Sequence, residues 1–254
     1  MKHIIVSRVN IPRELDPSNH VRPAPYKREE WNRRRVELLN KFTRPSLRQQ
    51  TCQDFELVTL WGPQYKIDRA NELPNERQFI VRRGLDPFDE KAFDFVQWRE
   101  DPRKCEKYEM DFAFQIRDLF RRRYEAPVLF TNLDSDDCLR YDFVENVQRH
   151  AKHIWQAGKA PCIIDIKKRY CMHVGTGGQG QKVRNTPSPA TSSLETKIEC
   201  YPLRWHHSMM LDYLPEGIGF EQYEDLLIMQ TVSDTNILTQ GTGDDGHFNP
   251  KDYF

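Results

Sequence analysis

The sequence predicts an α/β protein whose sheet is mostly parallel in its first half. Short β-rich runs alternate with amphipathic helical patterns along the chain, the signature of strands joined by crossover helices. The 254 residues are 38 % apolar and 11 % aromatic, which supports a sizeable core and argues against a disordered chain. No apolar run approaches the roughly 18 residues that a membrane-crossing helix needs, and there is no internal repeat.

Each element follows from local pattern. Ile4-Ile5-Val6 reads as a short buried first strand, followed by a loop punctuated by Pro12, Pro17, Pro23 and Pro25. A helix is expected from Lys27, with Trp31, Leu38, Leu39 and Phe42 on one face and Arg33-Arg34-Arg35 mostly on the solvated other. Pro45 suits the first position of a new helical turn. Phe55 to Trp61 is rich in β-formers and ends at Gly62-Pro63, a second strand. Residues 63–108 give no clear pattern. Phe112, Ile116, Leu119 and Phe120 place an amphipathic helix over Met110 to Arg123. Pro127 to Leu133 is a third strand. Asp142 and Glu145 have capping-box spacing, before a helix whose buried stripe is Phe143, Val144, Val147, Ala151 and Ile154. Ala160 to Val174 reads as one long strand or a hairpin, and Gly175 to Ser193 as a mobile loop. A strand is expected near Lys197–Tyr201, a helix over Phe220–Met229, and a polar, glycine-rich tail from Gly241.

Charge and cysteine content narrow the partners. Lys and Arg number 38, as do Asp and Glu, so no net field draws the chain to nucleic acid or an anionic bilayer. Ile4 to Val6 is too short for a signal-peptide core. A cytoplasmic location and reduced thiols are therefore expected, the six cysteines being scattered without a C-x-x-C pair. Cys200, His206 and His207 lack the second ligand pair that a structural zinc site would have.

The strongest chemical signal is Leu133-Asp134-Ser135-Asp136-Asp137, three carboxylates at the end of an apolar strand. In open α/β sheets ligands bind beyond the carboxyl ends of strands. Magnesium-type ions bind through one or two carboxylates plus substrate phosphates, so Asp134 and Asp136 have the spacing to hold Mn²⁺ or Mg²⁺ against a diphosphate. Two other readings stay open. One is a surface turn with helix-capping aspartates. The other is a haloacid-dehalogenase-type phosphatase with a nucleophilic first aspartate, although Asp137-Cys138 follow and half the chain precedes the motif. Gly175-x-Gly177-Gly178-x-Gly180 lacks the βαβ surroundings of a dinucleotide loop and reads as a flexible lid.

Two blocks resemble bacterial rhamnosyltransferases. The first runs from Phe42-Thr43-Arg44-Pro45-Ser46-Leu47 through Gln50-Thr51-Cys52-Gln53-Asp54-Phe55 to Val58. The second is Leu133-Asp134-Ser135-Asp136-Asp137 with Tyr141-Asp142-Phe143-Val144, and the opening Ile4 to Arg8 matches the family's first strand. The resemblance covers roughly residues 1–160. Asn132 stands where the family has arginine, and Ser233 where it has histidine.

The resemblance implies a GT-A-like glycosyltransferase fold, a mixed, mainly parallel sheet flanked by helices in a single domain, 1–254. Residues 1–140 would form the nucleotide-sugar and metal-binding half, and 141–254 the acceptor half and tail. It implies a nucleotide-sugar donor, a glycan or other hydroxyl acceptor, and a divalent metal. Asp136 would ligate that metal directly, and Asp134 would reach it or the donor ribose. The third ligand would come from His206, His207, Asp234 or His247, with His207 chosen. A non-catalytic carbohydrate- or nucleotide-binding relative of the same fold is the alternative. Ser7, Arg8 and Val9, after the first strand, are expected at the nucleotide, with Asn132, Asp134 and Ser135 beside them. An inverting transferase needs a carboxylate to take the acceptor's proton, for which Glu195, Glu224 and Asp225 are the candidates. Ser233 to His247 is expected to close over the donor diphosphate.

Overall fold

A computed structural model describes residues 1–9, 28–61, 67, 69–80, 116–173, 179–183, 190–204 and 214–232. The main sheet has seven strands. They are β1 (Lys2–Arg8), β2 (Glu56–Trp61), β3 (Glu76–Ile80), β4 (Val128–Asp134), β6 (Cys162–Ile166), β9 (Ser192–Glu195) and β10 (Gly219–Tyr223), in the order β10-β6-β9-β4-β1-β2-β3. Six run parallel. Only β9 is reversed, lying antiparallel between β4 and β6. A second sheet, β5-β11-β7-β8, joins Cys138–Leu139, Ile228–Val232, Lys168–His173 and Gln179–Val183. The helices are α1 (Arg28–Leu38), α2 (Arg44–Arg48), α3 (116–121), α4 (Phe143–Gln156) and α5 (Tyr201–Arg204), with a π-helical turn at Leu39–Thr43 between α1 and α2.

The expected α/β fold, mixed and mainly parallel, is the one observed. Its central strands are buried on both faces, so they read as continuous apolar runs rather than alternating ones. Ile5, Leu57, Leu129 and Leu133 face one core, with Leu47 and the α4 stripe Phe143, Val144, Val147, Ala151 and Ile154. Ile4, Val6, Val58, Leu60, Val128 and Phe130 face another, covered by Ile116 and Phe120 of α3 and by Ile198, Cys200 and Leu203. Phe112 lies outside the described residues.

Several expectations are corrected. The stretch from Phe220 to Met229 is not a helix but β10, a turn and the start of β11. Its apolar spacing fits a helix, but a short apolar run does not distinguish the two by periodicity. Pairing with β6 and β7 decides the outcome. Ala160–Val174 is neither one strand nor a hairpin, because the chain leaves one sheet after Ile166 and enters the other at Lys168. The expected loop 175–193 contributes β8 and the start of β9. Gly180 belongs to β8, and residues 174–178 are outside the described set. No strand forms at 197–201. Instead α5 starts there. The unreadable 63–108 region supplies edge strand β3.

The capping box at Asp142 and Glu145 does not form. The helix begins there, but Asp142 pairs with Arg140 and Glu145 accepts from Thr51 at 2.9 Å. The α4 amide of Val144 is instead satisfied by Gln50 Oε1 at 3.0 Å, while Gln50 Nε2 donates to Ser46 O and Arg140 O. One amide side chain, two residues past the end of α2, therefore caps α4.

Two buried polar groups join the elements. Arg44 on α2 donates from Nε (3.0 Å) and Nη2 (2.7 Å) to Glu76 at the start of β3. Glu76 also accepts from Thr59 Oγ1 and the Leu73 amide. Breaking such a pair strands a buried charge. We expect Arg44→Met to cost about 3–5 kcal/mol in denaturant unfolding, and an accompanying Glu76→Leu to restore most of it. No recovery in the double variant would show that the pair is not what holds β3.

His3, in β1, places Nε2 2.9 Å from Thr131 Oγ1, and the Gln148 amide lies 3.3 Å from Nδ1. Burial lowers its pKa to about 3, from an ordinary value near 6.5. The unfolded chain therefore takes up a proton that the folded chain refuses. The stability involved is fully present above about pH 6.5 and falls between there and pH 3, by up to ~1.4 kcal/mol per pH unit. Urea unfolding across that window should show a shallower acid slope for His3→Gln, which hydrogen-bonds without titrating. An unchanged slope would mean that His3 does not set the acid sensitivity.

Candidate functional site

The parallel strands end on one edge of the sheet, and β4 delivers its carboxylates there. Asp134 is the last residue of the strand, and the turn beyond it returns through a bond from the Asp137 amide to Asp134 O at 3.0 Å. The turn is gripped from the helical side. Thr43 Oγ1, at the end of the π-helical turn, donates to Asp137 O at 2.9 Å. Ser46 Oγ accepts from the Leu139 amide at 3.2 Å. The Phe42–Leu47 block thus shapes the acidic turn, and its arginine anchors β3.

Three carboxylates in this space need counter-charge. Arg8 is in register with Asp134 across the β1–β4 pair, and its Nη2 lies 3.5 Å from Asp134 Oδ1. Arg35, expected on a solvated helix face, instead turns inward. It donates from Nη1 to Asp136 Oδ2 (2.9 Å) and from Nη2 to Asp136 Oδ1 (3.2 Å). Nη2 also donates to Ser135 Oγ at 2.6 Å, and Nε to Val9 O at 3.4 Å. Asp136 is left only 4 % exposed, against 34 % for Asp134. Burial pushes the Asp136 carboxyl above its usual range, Arg35 draws it back, and Asp134 pushes it up again. Cys138 is pushed well up by burial and by Asp137 and Asp136, which makes it a packing residue and not a nucleophile.

The structure therefore brings Arg8, Val9, Asp134, Ser135 and Asp136 together, with Ser7 and Asn132 buried in the adjoining strands. Ser7 Oγ has no hydrogen-bond partner among the described residues. Two carboxylates at a strand end fit a hard divalent cation whose remaining ligands are phosphates and water. Among the described residues no group of three His, Cys, Asp or Glu is gathered to hold one. His206, His207, Asp234 and His247 lie outside those residues, as does the expected closing segment Ser233 to His247.

The three candidate bases are separated by the topology. Glu224 and Asp225 come after β10 at the same edge as the acidic turn, three strands from β4 and so about 14 Å along the sheet. They sit in the turn between β10 and β11, not at a helix start. Glu224 pairs with Lys167 at 2.6 Å, and Asp225 with Arg149 and His150. Glu195 ends the reversed strand β9, opposite Val128, at the far edge and six residues back along β4 from Asp134. It is fully buried and accepts from Ser193 Oγ and the amides of Glu199, Cys200 and Tyr201, at 2.6–2.9 Å. Burial pushes its carboxyl up to about 7 against those donors. The structure gives it the task of gathering the 196–201 loop, including Cys200 at φ 55°.

Two inward-facing residues toward this edge of the sheet, Arg35 at the acidic turn and Asp165 two strands away, escaped sequence reading. Arg35 was hidden in a run of three arginines, with only helical phase to distinguish it. Asp165 on β6, fully buried, accepts from Thr191 Oγ1 (3.2 Å) and Gln222 Nε2 (3.0 Å) near the same edge. It reads locally as an interruption of the apolar Cys162-Ile163-Ile164 run.

A family described as "Putative rhamnosyl transferase" matches residues 103–243, more than half of the chain. The chain belongs to this family. The rhamnosyl transferase match begins and ends later than the 1–160 expected from the sequence. It contains the Leu133–Asp137 block and leaves the Phe42–Val58 block outside. No curated protein matches the chain. Among solved structures, the crystal structure of S. aureus TarS 1-349 is similar with a TM-score of 0.41 and 13 % identity, over 91 % of this chain and 60 % of that one. A second crystal structure of S. aureus TarS gives the same score and identity, and this chain covers 37 % of it. The chain therefore spans less than two thirds of either. Among the described residues no helix is long and apolar enough to cross a membrane.

The grip on the turn is testable without substrate. Ser46→Ala leaves the buried Leu139 amide unpaired, which should cost about 1–3 kcal/mol and speed exchange of that amide in hydrogen–deuterium exchange. An unaltered Leu139 rate would mean that Ser46 does not hold the turn.

Proposed function

We propose that the chain is a metal-dependent glycosyltransferase of GT-A type, moving a sugar from a nucleotide-diphosphate donor to an acceptor hydroxyl. Family membership supports sugar transfer, and rhamnose is the sugar that the family's description suggests. The observation that carries the finer reading is the acidic turn, clamped at the carboxyl edge of a parallel sheet with two guanidiniums beside it. In sugar transfer, negative charge grows on the departing diphosphate. A divalent cation, Mn²⁺ or Mg²⁺, would supply positive charge there. Asp134 and Asp136 are the residues to hold it, with His207 as a third ligand.

The chain's own groups do the rest. Ser7, Arg8 and Val9 lie at the end of the first strand, where the nucleotide would bind, with Asn132 and Ser135 alongside. Arg8 is placed to meet a phosphate or the base. The base that accepts the acceptor's proton comes from Glu224 or Asp225, which share the edge with the acidic turn, rather than from Glu195. Ser233 to His247 would exclude water from the activated donor.

The test is a panel of nucleotide-diphosphate sugars offered to the purified full chain with and without Mn²⁺, with nucleotide release as the readout. Release should require Mn²⁺ and fall by about 10²-fold or more in Asp134→Asn and in Asp136→Asn, with the folded circular-dichroism spectrum retained. A smaller loss is expected for Asp137→Asn. Full turnover in chelator, or in Asp136→Asn, would defeat the metal reading.

A further inference from the structure

The group that reaches furthest beyond this function is Arg35, and the role inferred for it rests on metal-dependent transfer at the acidic turn. Its guanidinium takes both carboxylate oxygens of Asp136, along with Ser135 Oγ and Val9 O. The carboxylate's slight remaining exposure leaves little approach to those oxygens from any other side. A cation that ligates Asp136 therefore competes with the guanidinium for the oxygens it now holds.

The charge balance at the turn points the same way. Among these five groups alone, the three carboxylates Asp134, Asp136 and Asp137 against Arg8 and Arg35 leave one net negative charge. A divalent cation alone would turn this into one net positive charge. A nucleotide-diphosphate sugar carries two negative charges on its phosphates, so cation and donor together return the site to one net negative. The site is thus balanced for both or for neither.

We infer that Arg35 is an exchangeable counter-ion: it holds Asp136 until a divalent cation takes that carboxylate, and then passes its guanidinium to the donor's diphosphate. The move is short, because the other anchors of Arg35, Val9 O and Ser135 Oγ, already lie where β1 and β4 end. The planar fork that pairs with a carboxylate pairs equally well with phosphate oxygens. Arg35 is then a positioning residue for the donor and the reason that cation and donor bind as a unit.

The experiment measures binding, not turnover. Mn²⁺ alone is titrated into the full chain by electron paramagnetic resonance, and inorganic pyrophosphate is then titrated by calorimetry at saturating Mn²⁺. Arg35→Gln should bind Mn²⁺ alone about five- to a hundredfold more tightly than the unaltered chain, the range of typical coupling between sites. It should also bind pyrophosphate more weakly by a similar factor. Arg35→Lys should keep part of the pyrophosphate affinity. Ser135→Ala, which loosens the guanidinium while keeping both charges, should tighten Mn²⁺ binding in the same direction by a smaller factor. It also serves if Arg35→Gln fails to fold. If the unaltered chain binds Mn²⁺ and pyrophosphate but neither variant binds Mn²⁺ more tightly, the exchange is refuted and the metal reading stands. If the unaltered chain binds no Mn²⁺ even with pyrophosphate, the metal reading falls and takes the exchange with it.

Discussion

Three carboxylates packed into four residues at the end of β4 form the constraint on which the rest of the structure depends. Asp136 and Asp137 are nearly without solvent, and like charges in such a place would separate or neutralise without opposing charge. Arg8 comes from the neighbouring strand and Arg35 from a helix that precedes the turn by a hundred residues. Docking α1 onto the sheet is therefore electrostatic as well as apolar. Its end packs Leu38 with Phe42, Cys138 and Met229. The acidic turn and the first helix each need the other to be buried.

The reversed strand β9 gives the sheet its second organising feature. It interrupts six parallel strands and carries the chain from the site edge to the opposite one. At its start the Thr191 carbonyl accepts from the Asn132 amide beside the acidic turn. At its end, Glu195 collects the amides of the 196–201 loop. The strand is built from serines buried among apolar neighbours. Ser192 Oγ bonds to Thr131 and Ser193 Oγ to Glu195, so its polarity is satisfied within the sheet, as buried polar groups require.

That compensation explains what was legible in the sequence. β1, β2, β4 and α4 could be read because their environments match their patterns, continuous apolar runs between two cores and a stripe at helical spacing. Ser192-Ser193-Leu194-Glu195 reads locally as a polar loop, because the hydroxyl partner of Ser192 lies sixty-one residues away on β4 and the amides that Glu195 collects follow in the next loop. The Phe220–Met229 stretch misled in the other direction. Its aromatic and apolar residues recur at helical intervals, yet β6 and β7 each offered a strand to pair with. At the site, the acidic turn and the β1 end were evident, since strand-end carboxylates carry their own signal. Arg35 was not, since only helical phase separates it from Arg33 and Arg34, which pair with Glu37 along the helix. Only the long-range contact reveals its role.

The clamp on the acidic turn grips the main chain. Thr43 holds a carbonyl, Ser46 holds an amide, and Gln50 spans a carbonyl and an amide on either side of the α4 start. None of these bonds involves the carboxyl groups of Asp134, Asp136 or Asp137. The shape of the turn is therefore inherited separately from the acids it displays. A lineage can exchange those side chains, and with them the chemistry offered at the sheet's edge, while the scaffold that aims them stays unaltered.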